Sequence, residues 1–176
     1  MLRQNYIQLN TSPNLKGEIG EIIAKRILWY AHRTKDFTFD YFIEKCNFEL
    51  NEEQRSFLQK YWNTIDLFRL LLENNQVKQI IIFEVKCCNF YTDREKIKHP
   101  FMPLTSRTYE MILEAQKLGF ITKFVKVTFF ENWRIGMTVT DFSMKDFYIH
   151  DGGKFAYKAS EKKIENNEFN FIANEI

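Results

Sequence analysis

The chain has 176 residues, with 25 Lys or Arg against 23 Asp or Glu, for a net charge of +2. A hydrophobic fraction of 45% and an aromatic fraction of 16%, with 18 Phe, exclude a disordered chain and suffice for one domain with a sizeable core. So small a net charge also excludes capture of nucleic acid by the bulk field, and any such contact needs a local basic patch.

The opening "MLRQNYIQLNTSPN" is polar and carries no secretory apolar region. No apolar run approaches the ~18 residues of a membrane span, so a cytoplasmic protein with no membrane association is expected. "NTSPNLKG" reads as a helix entry, with Ser12 or Asn14 as cap and Pro13 in the first turn. From Leu15, apolar residues recur at Ile19, Ile22, Ile23, Ile27 and Tyr30, which predicts a helix to about Arg33. Gly17, Gly20, Ala24 and Ala31 line a second stripe, small enough for close packing on a sheet, and the two stripes together predict a wide buried arc. Glu21 lies at the edge of that arc, whereas Glu18 and Lys25 fall in the polar one.

"DFTFDYFIE" alternates and predicts a strand, and "NEEQRSFLQKYW" predicts a helix from Asn51 to Trp62. "TIDLFRLLL" fits either a continuation of that helix or a strand. The "ENN" turn after it favours the strand, with "VKQIIIFEVKCCNF" as its hairpin partner. "NFYTDREKIKHPFMPL" reads as a polar, proline-bearing loop. "SRTYEMILEAQKLG" is an amphipathic helix with Thr105 or Ser106 as cap and Gly119 as stop. "ITKFVKVTFF" and "WRIGMTVTDF" are strands. The segment from Ser160 onward is charged and is expected to be loosely held. The order predicts an α/β fold, a central mixed β-sheet flanked by helices, as one domain over 1–176 with its core at about 15–150. Cys46, Cys87 and Cys88 form neither a disulfide framework nor a zinc spacing and read as small buried or half-buried residues.

"IIIFEVKCC", Ile80 to Cys88, is an apolar strand with Glu84 and Lys86 inside it. Residues two apart share a face, so both charges sit at the C-terminal end of the face that carries Ile80 and Ile82. With Asn74 and Asn75 as the hairpin turn, paired positions sum to about 149 or 150, which sets Asp66 opposite Phe83 or Glu84. Two carboxylates about 4 Å apart repel by about 4 kcal/mol at an effective dielectric near 20. Either one stays protonated or a cation holds both, and oxygen donors of this kind suit Mg²⁺ or Mn²⁺. Glu21 is the helix carboxylate best placed to join them.

These residues resemble the PD-(D/E)XK nuclease superfamily. "GEIGEIIAKRIL" is similar to its opening helix, Gly-x-x-Gly-Glu-x-x-Ala-x-x-x-Leu, with Glu21 as the acid. "TIDLF" and "IIFEVKCCN" are similar to its Asp strand and Glu-x-Lys strand, with Ile65 in place of the usual Pro. The pattern is most like archaeal Holliday-junction resolvases and YraN-like small nucleases, and it covers about Leu15 to Gly119.

The resemblance implies a restriction-endonuclease-like αβββαβ core and a metal-dependent DNA endonuclease that hydrolyses phosphodiester bonds. It implies Mg²⁺ (or Mn²⁺) on Asp66 and Glu84, with the Val85 carbonyl as a further ligand. Glu21 would hold a second metal or a metal-bound water. Lys86 would activate or orient the attacking water, or neutralise charge at the phosphate. Arg94, Lys96 and Lys98, in the loop after the Glu-x-Lys strand, and Arg107 beyond it are the DNA-contacting candidates; Asp93 and Glu95 fit an ordinary solvated loop instead. The stretch from Arg33 to Asn63 is longer than in a minimal resolvase and predicts an extra helix. No three-cysteine cluster is present, so no iron–sulfur cluster is implied. A homodimer on branched or duplex DNA is expected, from an archaeon or one of its viruses or plasmids. An exonuclease-like or restriction-like enzyme of the same superfamily, or a nucleic-acid-binding protein with this fold and no turnover, remain the alternatives.

Overall fold

A computed structural model describes residues 13–45, 50–89, 91–93, 96–98, 103–129, 135–143, 147–150, 154–157 and 170–171. Its centre is a mixed sheet in the order β1-β2-β3-β7-β8-β11. These strands are β1 (His32–Arg33), β2 (Leu67–Glu73), β3 (Gln76–Asn89), β7 (Ile121–Phe129), β8 (Ile135–Asp141) and β11 (Asn170–Phe171). Among the described pairs only β3 and β7 run parallel, and the crossover that parallel strands need is supplied by a helix, α4 (Ser106–Lys117). Helix α1 (Pro13–Ile27) packs on one face of the sheet. Helices α2 (Phe39–Lys45), α3 (Glu52–Tyr61) and α4 cover the other. The predicted α/β class and mixed sheet flanked by helices are present; the order is α1, β1, α2, α3, β2, β3, three short strands, α4 and β7, so two helices stand between β1 and β2.

The pleat of β3 explains the two cores. Ile80 and Ile82 pack with Phe68, Phe124, Met111 and Ile112 on the α3–α4 side. Ile81, Phe83 and Val85 pack with Ala24, Leu28 and Val125 under α1. Each fully buried aliphatic or aromatic side chain contributes about 1.5–3 kcal/mol. The β2–β3 hairpin turns on Asn74 and Asn75, at φ 53° and 62°, the two consecutive left-handed positions that a type I′ turn requires and that Asn tolerates. Pairing shifts between Leu71 and Leu72, so paired numbers sum to 149 beside the turn and to 150 from Leu71↔Gln79 to Leu67↔Phe83. α3 starts on a capping box, Asn51 with Gln54, and α4 on the Thr105 hydroxyl, which accepts from the Thr108 N–H. Gly119, at φ 83°, ends the chain's run past α4.

Four expectations are corrected. The first helix ends at Ile27 rather than near Arg33, because His32 and Arg33 extend to pair with Phe68 and Leu67. The stretch 36–44 is not a strand: a 3₁₀ turn (Thr34–Asp36) leads into α2. The spacing of Phe39, Phe42 and Ile43 is helical, and Phe42 is buried against Trp62 and Phe68. The wide buried arc of α1 is narrower than expected. Gly20, Glu21, Ala24 and Leu28 face inward, whereas Leu15 and Ile22 are exposed. The polar loop after β3 contains a short ribbon, β4 (Tyr91–Asp93) with β5 (Lys96–Lys98), and β6 (Pro103–Leu104). β6 joins β9 (Phe147–His150) and β10 (Lys154–Tyr157) in a separate small sheet. Of the segment after Ser160, only β11 lies within the described residues, paired with β8. No helix among the described residues is long and apolar enough to cross a membrane.

Candidate active site

The site is assembled where β2 begins and β3 leaves the core. Asp66 directly precedes β2, after the turn that closes α3 with Ile65 N–H donating to the Tyr61 carbonyl at 3.0 Å. The Ile65 carbonyl also accepts the buried Thr34 hydroxyl, and the Thr34 N–H donates to the Asp66 carbonyl at 3.4 Å. The segment after β1 therefore fixes the backbone at Asp66. The last ladder pair is Leu67↔Phe83, so the next step of the register sets Asp66 against Glu84. The Val85 N–H donates to Asp66 Oδ2 at 2.7 Å, which clamps the carboxylate to β3 at this step.

Glu84 is 2% exposed, an unusual position for a carboxylate. Its Oε1 takes the Lys86 ammonium in an ion pair, and Lys86 keeps 26% of its side chain exposed. Its Oε2 is buried with no hydrogen-bond partner. Burial and the Glu84 charge hold the Asp66 carboxyl well above the ordinary range, against the pull of Lys86 and the Val85 N–H. Burial also raises Glu84, with Lys86 opposing. For Lys86, burial lowers the pKa, but the Glu84 and Asp66 charges outweigh it and the net shift is upward. Glu84 Oε2 is an orphan only while both carboxyls are ionised; a proton held on Asp66 would give it a donor. The pair is thus built around one missing positive charge, a proton or a cation.

Glu21 reaches the cluster from α1, and its charge acts on Asp66, Glu84 and Lys86 alike. Gly20 makes this approach possible. A Cβ there would stand 2.8 Å from the Cys87 Cβ, so only glycine lets α1 lie this close to the end of β3. The oxygens of Glu21 are already held, Oε1 by Lys35 at 2.7 Å and Oε2 by the Arg33 guanidinium at 3.2 Å. Among the described residues, no three His, Cys, Asp or Glu side chains converge as a ready-made metal cage. The Asp66–Glu84 pair is the part of the set whose chemistry fits a hard divalent cation: two oxygen donors, one of them orphaned and buried.

Asp66, Glu84 and Lys86 are therefore brought together, with Val85 joining through its N–H, while Glu21 acts on them by charge alone, its oxygens held by Lys35 and Arg33. Lys96 and Lys98 lie on the β4–β5 ribbon that follows β3, with their side chains outside the described residues, as is Arg94. Arg107 sits apart in the first turn of α4, where it donates to the Lys60 carbonyl at 3.4 Å. Arg33 and Lys35 went unnoticed in the sequence: the predicted first helix ends at about Arg33, and nothing local marks Lys35 as a partner of Glu21.

Compared with known protein families, curated proteins and solved structures, the chain has no match.

Proposed function

We propose that the chain is a metal-dependent nuclease that hydrolyses phosphodiester bonds in DNA, with Asp66 and Glu84 as its metal-binding pair. The observation that carries the reading is the buried, unpartnered Glu84 Oε2 beside a second carboxyl whose protonation is favoured. A fold that needed only a salt bridge would stop at Glu84 and Lys86. A second, costly carboxylate set across from them has a use when a divalent cation takes the place of the proton.

Asp66 and Glu84 would hold Mg²⁺ or Mn²⁺, which lowers the pKa of water and offsets charge on a transferring phosphoryl group. The residues of the chain do the rest. The Val85 N–H fixes the orientation of Asp66. Lys86, paired to Glu84 but part-exposed and held protonated by the Glu84 and Asp66 charges, would keep its proton at Nζ and offset the charge of an anionic phosphate. Arg33 and Lys35 add positive charge beside Glu21.

The test is cleavage of a labelled four-way junction and a matched linear duplex, with Mg²⁺ or EDTA, by wild type and Glu84→Ala. Metal-dependent cutting that the variant loses supports the nuclease. A preference for the junction supports a resolvase, and equal cutting of both substrates a less selective enzyme. Binding without cutting by the wild type would overturn the reading in favour of a nucleic-acid-binding protein.

A further inference from the structure

The outward face of α1 has a pattern that the candidate site does not use. At about 100° per residue, Leu15, Ile19, Ile22 and Arg26 fall within about 40° of the direction opposite the buried Ala24. Leu15 is 45% and Ile22 53% exposed, and Trp29, in the turn just past the helix end, is 82% exposed. Trp29 is not loose. Its ring meets Tyr30 edge to face at 5.8 Å, and the Tyr30 ring is covered by the Arg69 guanidinium at 4.0 Å. Single exposed apolar residues are ordinary, but a row of them along one helix with a propped tryptophan at its end is an interaction surface.

We infer that this face docks on the same face of a second copy of the chain, with the two α1 helices antiparallel about a two-fold axis at Ile22. The spacing selects this partner. An antiparallel pair centred on Ile22 sets Glu18 of one copy beside Arg26 of the other, and brings Leu15 of one to the end of the other helix, which the Trp29 turn follows. Glu18 and Arg26 are both exposed and of opposite sign, so each helix supplies the complement of its own pattern, as a two-fold interface requires. A lipid surface fits less well, because Glu18 sits on the face that would enter an anionic headgroup layer. The contact is small. One pair of 15-residue helices covers less than the ~800 Å² per partner of a standard interface, so a reversible, micromolar dimer is expected.

The experiment is sedimentation of the full chain from low to high micromolar concentration. It compares wild type, Ile22→Glu, Glu18→Arg, Arg26→Glu and the double exchange Glu18→Arg with Arg26→Glu. The wild type should dimerise reversibly. Each single charge reversal should weaken the dimer about tenfold, since it turns two attractive pairs into repulsive ones, and the double exchange should restore it. All the substituted side chains are exposed, and far-UV circular dichroism should be unchanged. Should Ile22→Glu perturb folding, the charge exchange alone decides. A wild type that stays monomeric throughout overturns the inference. So does a dimer indifferent to Ile22→Glu and the charge reversals, which would use another face, or a monomer that floats with anionic vesicles through this face.

Discussion

The Val85 N–H donates to Asp66 Oδ2 at 2.7 Å, one register step beyond the last ladder pair of β2 and β3. That bond decides which carboxylate is the costly one. Glu84 has a cation in Lys86, whereas Asp66 has a backbone dipole and a like charge across from it. Replacing each carboxylate by its amide should therefore move stability in opposite directions. Asp66→Asn keeps an acceptor for Val85 and removes the like charge, and should stabilise the metal-free protein by about 1 kcal/mol. Glu84→Gln strips Lys86 of its nearest partner and should cost about 1–2 kcal/mol. This is less than the ~3–5 kcal/mol of a fully enclosed pair, because Lys86 stays part-exposed. Both variants should lose metal-dependent cleavage. Urea unfolding in EDTA, beside the cleavage assay, reads both signs.

The same cluster sets a pH dependence. The Asp66 and Glu84 carboxyls are raised in the folded protein, by burial first, so between their ordinary and raised values the folded state holds more protons than the unfolded one. Stability should then fall as pH rises from about 4 through the raised values, the reverse of a salt-bridged carboxylate. Lys86, raised on balance by Glu84 and Asp66 against its burial, adds stability that is present below its ordinary value and lost only in strong alkali. Mg²⁺ should displace the shared proton. Titration calorimetry near pH 6 in buffers of different ionisation enthalpy should show proton release on metal binding, and Asp66→Asn should abolish it. Metal binding without proton release would mean that the carboxyls are already ionised.

How far the sequence carried this site depended on the kind of signal involved. Asn74 and Asn75 announced the hairpin, and counting from it left Asp66 opposite Phe83 or Glu84; the register shift between Leu71 and Leu72, which no count predicts, sets it against Glu84. The fate of Glu21 was not legible. Its position beside Gly20 was plain, but of its partners Arg33 falls at the end of the same predicted helix and Lys35 lies just beyond it, in the turn that leads to α2. Helical spacing at Tyr30 and Ala31 continues past Ile27, while pairing of His32 and Arg33 with β2 ends the helix through tertiary contacts no local pattern encodes. The apolar row of Leu15, Ile19 and Ile22 misled for a related reason. Hydrophobicity marks a face for burial without saying whether the sheet or another surface covers it.

The two glycines of α1 should respond in opposite ways to alanine. A Cβ at Gly17 meets nothing within 4 Å, so Gly17→Ala should stabilise by about 0.5–1 kcal/mol through helix propensity. A Cβ at Gly20 would press on the Cys87 Cβ at 2.8 Å, so Gly20→Ala must lift α1 from β3, at a cost of about 1–3 kcal/mol. Because Glu21 follows directly, cleavage should fall with it. Adding Cys87→Gly removes the clashing atom and should recover part of both losses. Thermal unfolding of the four proteins measures this. Equal effects at Gly17 and Gly20 would show that the close approach of α1 to β3 is wrong.

Glu21 and its two cations separate a structural role from a DNA-contacting one. Glu21 is 5% exposed, and Glu21→Gln leaves Lys35 without its carboxylate and Arg33 with only Asp36, at 4.0 Å, a loss of about 1–2 kcal/mol. Lys35 is 46% exposed, so Lys35→Ala should change stability by less than ~1 kcal/mol. If Lys35 serves only to hold Glu21, DNA affinity should keep its dependence on salt. If it reaches a phosphate, the slope of log affinity against log salt should fall by about one, with binding weakened on every DNA sequence alike. Half exposure is ordinary for a paired lysine, so the salt slope rather than the exposure of Lys35 decides between the two. Binding curves at several salt concentrations in Ca²⁺, taken for wild type, Lys35→Ala and Glu21→Gln, distinguish the two. The Glu21→Gln protein, with both cations released, should bind at least as tightly as wild type while cleaving more slowly in Mg²⁺.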